Sequence, residues 1–287
     1  RKNLNIEKAR QAKARKDTTD PFRNNRDPDF YFASRTHDAA LKLLRGQLER
    51  HDDVLALLTG PAGSGKTYLR GCLYASLEPT RFVRVSIESS LLDFDALLLE
   101  IISQASGKRA VPAQFPDRYS RLAEFKRVLA ERVIHTNKRL VVFLDEAQAL
   151  SDAVLECLRQ LTNISTASHN VMTIVLVGTE DMLARIEGNT SLADRVAVHA
   201  SIESLDEEES RAYVVHRMNR AAVATPVRFS NEGWALLHET TAGRPRRINR
   251  VMKHALERAR EDGNDIIDAY LPDPGSGRAP EGPGLFA

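Results

Sequence analysis

Cysteine is scarce in this chain: Cys72 and Cys157 are the only two among 287 residues, and 85 positions separate them. That number excludes a disulfide framework, and neither residue has metal-ligand spacing around it, so both read as buried thiols in a reducing compartment. Long apolar runs are lacking as well. The longest are strand-sized, so the sequence offers no membrane span and no export signal, and a cytoplasmic location is expected. Neither sign of charge dominates, with 41 Lys and Arg against 39 Asp and Glu. The near-balance hides an asymmetry: residues 1 to 16 hold seven basic side chains and only Glu7, a local charge of +6. A basic tail over residues 1–20 is a solvated terminus or a contact for nucleic acid or an anionic surface. At the other end, 272–287 is rich in Gly and Pro without periodicity and reads as disordered.

What the chain does have is the run Gly60-Pro61-Ala62-Gly63-Ser64-Gly65-Lys66-Thr67, directly after the apolar stretch Val54 to Leu58. A buried strand, a glycine-rich turn and a helix-like segment from Tyr68 to Leu77 make a phosphate-binding loop. The glycines let backbone N–H groups face phosphate oxygens, Lys66 adds a point charge, Thr67 offers a hydroxyl to Mg²⁺, and the helix N-terminus favours the anion. The nucleotide-binding set is therefore Gly60 to Thr67, with Tyr68 next to it.

Strand and helix patterns then alternate. Ala39 to Arg50 is helical with Ser34 as a cap; Phe82 to Ile87 alternates like a partly exposed strand; Phe94 to Gln104 and Arg118 to His135 are helical, the second capped by Asp117. Leu140 to Leu144 is an apolar strand, Ser151 to Asn163 a helix, Val171 to Val177 another strand, and Ala200 to Ile202 a short last one. This alternation predicts an α/β fold with a parallel sheet flanked by helices.

The strand Leu140 to Leu144 ends in Asp145-Glu146, 79 residues beyond Lys66. A parallel sheet delivers such terminal carboxylates to the ligand-binding edge. Asp145 is then placed to hold Mg²⁺ and Glu146 to polarise the attacking water. Thr179, after the next apolar strand, is placed to meet the γ-phosphate or that water. Arg195 is a candidate arginine finger for a neighbouring subunit, with Arg185 in reserve. From Asp206 onward the strands stop: Glu207 to Ala222, Asn231 to Thr241 and Arg246 to Arg260 read as a small helical bundle. Pro245 suits the first turn of the last helix and sets Arg246 to reach a nucleotide. Seven basic residues between Arg244 and Arg260 against Glu257 alone suggest a solvated helix or a nucleic-acid face.

Together, Gly60 to Thr67, the strand ending Asp145-Glu146, and Gly243-Arg244-Pro245-Arg246-Arg247-Ile248-Asn249-Arg250 resemble the AAA+ ATPase module of the ExeA/GspA family. So do Pro21-Phe22, Asp27-Pro28-Asp29, Phe30-Tyr31-Phe32, Ser34 and His37. The similarity runs from about Pro21 to Arg260. It implies Walker A at Gly60 to Thr67, Walker B at Asp145 and Glu146, sensor I near Thr179, sensor II at Arg246, and an adenine border around Phe30, Tyr31 and His37. The domains that follow are the basic tail (1–20), a AAA+ P-loop ATPase domain (21–204), a helical lid (205–271) and the last tail (272–287). ExeA-type proteins continue into a membrane segment and a peptidoglycan-binding domain, which this sequence lacks. The transposition regulators TniB, TnsC and MuB are short AAA+ proteins with a similar core. Two functions follow from the resemblance. One is an ATP- and Mg²⁺-dependent ATPase that forms a homo-oligomer and regulates a complex on double-stranded DNA with a transposase or other recruited protein. The other is a nucleotide-gated scaffold of a secretion or pilus system without DNA contact.

Overall fold

The computed structural model describes residues 20–24, 30–50, 54–88, 92–164 and 170–272. The basic tail, Asp27-Pro28-Asp29 and residues 273–287 lie outside them. The described residues fall into two compact units, one built on a sheet and one on helices.

The sheet unit opens with α1 (Arg35–Arg50), whose His37, Ala40, Leu44 and Leu48 lie at helical spacing and are all buried. Then come β1 (Leu55–Thr59), α2 (Lys66–Ser76), β2 (Phe82–Ile87), α3 (Phe94–Ser106), α4 (Arg118–Leu129), β3 (Arg139–Leu144), α5 (Asp152–Leu161), β4 (Met172–Gly178), α6 (Glu180–Glu187), α7 (Thr190–Ala193) and β5 (Val196–Ser201). The five strands are parallel and stand in the order β2-β3-β4-β1-β5. β1, β3 and β4 are buried along their whole length, which is why they read as largely apolar runs broken only by Thr59, Arg139 and Thr173. β2 and β5 are the edges and bury only part of their residues.

Helix ends follow local chemistry. Asp93 caps α3 by accepting from the Ala96 N–H, and Ser151 caps α5 by accepting from Val154. Asp117 caps α4 in a reciprocal box with Ser120. The helix expected from Arg118 to His135 is α-helical only to Leu129. A π-helical turn, Ala130–Ile134, completes it and leads through Asn137 (φ 52°) into β3. The last strand is longer than the expected Ala200 to Ile202, because β5 alternates buried and exposed residues as an edge strand does.

The helical unit contains α8 (Glu207–Arg220), α9 (Asn231–Thr241) and α10 (Pro245–Asp262). Its core joins Tyr213, Val214 and Met218 of α8, Trp234 and Leu237 of α9, and Ile248, Met252, Ala255 and Ala259 of α10. Pro245 opens α10, where its missing N–H has no intrahelical partner to lose. Residues 20–24 and 30–34 cluster with this unit. Phe22 is the anchor, fully buried among the helices. Arg217 donates to the carbonyls of Pro21 and, at 2.8 Å, Arg23, and Asn249 donates to the Asn24 side chain at 2.9 Å.

Candidate nucleotide site

The sheet order fixes how the site is assembled. β1 is flanked by β4 and β5, and β4 is flanked on its other side by β3. At about 4.8 Å between neighbouring strands, the end of β4 separates the loop after β1 from the acidic end of β3 by one strand on each side. Thr179 therefore stands between Lys66 and the Asp145-Glu146 pair along the sheet edge.

Between β1 and α2, Gly63 (φ 81°) and Gly65 (φ 108°) adopt conformations that L side chains rarely take, so the turn depends on glycine. Lys66, 7% exposed, donates to the carbonyls of Gly60 at 2.8 Å and Pro61 at 2.9 Å. Its ammonium is thereby curled over the loop it belongs to. Thr67 and Tyr68 follow in the first turn of α2 and are half-buried.

Asp145 is 4% exposed and accepts the Glu146 N–H at 3.0 Å. Arg70 of α2, equally buried, brings Nε to 3.4 Å from the Asp145 carboxylate, donates to Ser86 and pairs with Glu88 at 3.3 Å. Sequence reasoning missed Arg70, whose spacing on α2 reads only as helix. Glu146 is exposed and left-handed (φ 54°, ψ 36°), a conformation that costs a non-glycine residue about 1–3 kcal/mol. Strain of this kind marks a position whose geometry the surroundings impose. Gln148 donates to the Glu146 carboxylate at 2.6 Å.

The Thr179 hydroxyl is buried and has no hydrogen-bond partner among the described residues. Such an oxygen at the sheet edge, beside Lys66 and two carboxylates, fits a phosphate ligand. The hydroxyl of Thr67 and the carboxylate of Asp145 are hard oxygen donors, which suits Mg²⁺ completed by water and phosphate. Among the described residues no group of three or more His, Cys, Asp or Glu forms a self-sufficient metal cage.

Arg195 donates to the Thr162 hydroxyl at 3.2 Å and the Asn163 side chain at 2.6 Å of its own chain. Arg185 donates to the carbonyls of Gln148 and Leu150, each at 2.8 Å, and pairs with Asp152 at 2.5 Å. Arg185 thus braces the loop after β3.

In the helical unit, which takes in Gly63–Gly65, the Arg246 N–H approaches the Gly63 carbonyl at 3.4 Å. Phe30 is buried, with the Arg217 guanidinium 4.9 Å from its ring centre, and Tyr31 is half-buried. Arg23, Arg246, Arg247, Arg250 and Lys253 line a cleft of about 550 Å³ floored by Phe22. Asp20 lies 3.6 Å from Lys253 and is the one carboxylate paired there among the described residues.

A parallel sheet in this order, a glycine-rich loop ending in Lys-Thr, and an acidic strand end one strand away define a AAA+ P-loop NTPase fold with a helical C-terminal unit. Residues 49–186 match the family described as AAA domain. It is 30% identical over 257 residues to the general secretion pathway protein A of Aeromonas hydrophila, covering 86% of this chain and 44% of that protein. The chain thus spans less than half the length of this relative. Among solved structures it resembles the Aeropyrum pernix ORC2 protein in its ADP form, with a TM-score of 0.63 and 16% identity over 87% of this chain and 70% of that one. Cdc6p from Pyrobaculum aerophilum is similar to the same degree, with a TM-score of 0.63, 20% identity, and coverage of 86% and 67%. At these identities the two structures speak for the fold.

Proposed function

We propose that this chain is a Mg²⁺-dependent ATPase that oligomerises with nucleotide between subunits and regulates assembly of a DNA-bound complex in the cytoplasm. The observation that carries the hydrolytic reading is the convergence of Lys66, the unpartnered Thr179 hydroxyl and the Asp145-Glu146 pair on the ends of adjacent strands.

Lys66 exchanges the carbonyls of Gly60 and Pro61 for the β- and γ-phosphates. Thr67 and Asp145 would hold Mg²⁺, which when bound neutralises phosphate charge and polarises the leaving oxygen. Glu146 orients water in line with the γ-phosphate, and the Thr179 hydroxyl donates to that phosphate or that water. Arg246 contacts the nucleotide, Phe30 and Tyr31 border the adenine, and Arg195 leaves Thr162 and Asn163 to meet the phosphates of a neighbouring subunit.

The basic cleft supports DNA as partner, since five cations face solvent there with little compensation. If those side chains neutralise phosphates, duplex affinity falls steeply with salt. Replacing Arg247, Arg250 and Lys253 by Ala should flatten the log–log slope by about 0.9 per lost contact. Filter binding across a salt series with ATP present measures this. An oligomer that forms with ATP but has no duplex affinity at low salt overturns the DNA reading. A scaffold role in secretion would then stand, a reading favoured by the 30% identity to general secretion pathway protein A.

A further inference from the structure

One side-chain amide ties the loop after β3 to the end of β4. Gln148 Nε2 donates to the Glu146 carboxylate at 2.6 Å, and the Thr179 N–H donates to Gln148 Oε1 at 3.3 Å. Chemistry dictates the amide's orientation: a carboxylate must meet the NH₂ group and a backbone N–H must meet the oxygen. Two further contacts keep the amide in place. Arg185 of α6 donates to the Gln148 carbonyl at 2.8 Å. Gly178, the last residue of β4, leaves the necessary room, because a Cβ there would lie 2.7 Å from Gln148 Oε1.

Glu146 itself is exposed and has three side-chain torsions, so nothing within the residue fixes where its carboxylate points. We propose that Gln148 is a positioning residue for hydrolysis: it holds the Glu146 carboxylate at a set distance from Thr179. The group that orients water and the group that meets the γ-phosphate then move as one piece. This inference rests on the hydrolytic reading above. Gln148 acts through Glu146 and touches neither water nor nucleotide.

The test uses the full chain and four variants: Gln148→Met, which keeps the volume and loses both hydrogen bonds; Gln148→Glu, which keeps the acceptor for Thr179 and sets a carboxylate against Glu146; Gly178→Ala, which pushes the amide away without altering it; and Glu146→Gln. Misplacing a catalytic group by about 1 Å costs up to a hundredfold. Gln148→Met should therefore lower kcat about tenfold to a hundredfold, with the ATP Kd and the Tm unchanged. Gln148→Glu should fall further, through like-charge repulsion. Gly178→Ala should match the Met variant. Without nucleotide, the backbone amide resonance of Thr179 should shift in Gln148→Met. A mere spacer would be replaced by Met without loss. Wild-type kcat and an unmoved Thr179 resonance in Gln148→Met, while Glu146→Gln abolishes turnover, overturn the positioning role and leave the hydrolytic reading intact. A wild-type chain that binds ATP and never turns it over overturns both.

Discussion

Two neighbouring residues in the loop before α10 face opposite demands. Ala242 (φ 49°) and Gly243 (φ 62°) are both left-handed, but only the second is glycine. A side chain at 243 would put its Cβ 1.8 Å from the Leu205 carbonyl oxygen, which in turn accepts no room because the Leu205 N–H already bonds the Gly243 carbonyl at 2.9 Å. Gly243→Ala should therefore destabilise the helical unit severely. Ala242→Gly should do the reverse, gaining about 1 kcal/mol by relieving the left-handed penalty and raising Tm by about 2–4 °C. Thermal melts of both variants check the pair. In the sheet unit, Lys66→Ala should abolish measurable ATP binding in calorimetric titration while the fold persists. Glu146→Gln should retain binding and lose turnover by about a hundredfold or more. Undiminished ATP affinity in folded Lys66→Ala would exclude this loop as the site.

Among the elements, α8 carries a pH response. Burial, followed by the charges of Arg220 and Arg217, holds the His216 imidazole below its ordinary value, against the opposing effect of hydrogen bonds with the backbone of Tyr31 and Phe30. Because the folded chain binds this proton less readily than the unfolded one, the contribution is complete above the ordinary His value of 6.5. It is lost as pH falls from there toward the lowered folded value. His216→Gln should therefore lose less Tm than the wild type between pH 7.5 and 5.5; identical slopes would remove His216 from the account. At the start of α4, Asp117→Ala removes the side chain of a reciprocal cap and should cost about 1 kcal/mol in denaturant melts.

These elements differ in how openly the sequence declares them. β1, β3 and β4 are buried on both faces and so stand out as largely apolar runs, and the cap Asp117 announces α4. α6 went unread: it is only eight residues long, although Glu180 and Asp181 in its first turn, Arg185 in its last, and Met182 and Ile186 four apart are helix signals. The loop residues and the Asp145-Glu146 pair were legible because each is contiguous in sequence. Arg70 was not, since Asp145, Ser86 and Glu88 lie on other elements, and neither was Gln148, whose second partner Thr179 becomes a neighbour only once β3 stands beside β4.

For the molecule as a whole, the proposed oligomer makes one further demand. If Arg195 serves a neighbour's site, inactive Arg195→Ala and inactive Glu146→Gln subunits should regain activity when mixed, because some interfaces then pair an intact Glu146 with an intact Arg195. Phosphate release from mixed samples measures this, and hetero-oligomers that remain inactive would remove the trans assignment.

The strand order also governs the chain as it is made. β4 lies between β1 and β3, yet it begins 113 residues after β1 ends. At about 5–20 residues per second, β1 waits roughly 6–23 s on the ribosome for its inner partner, and β3 can join β1 only through the same strand. Once β3 is complete at Leu144, the nascent chain carries two largely apolar strands without the strand that joins them. A ribosome stalled shortly before Met172 should therefore present a chaperone-binding, protease-sensitive chain, and release of β4 should close the sheet in one step.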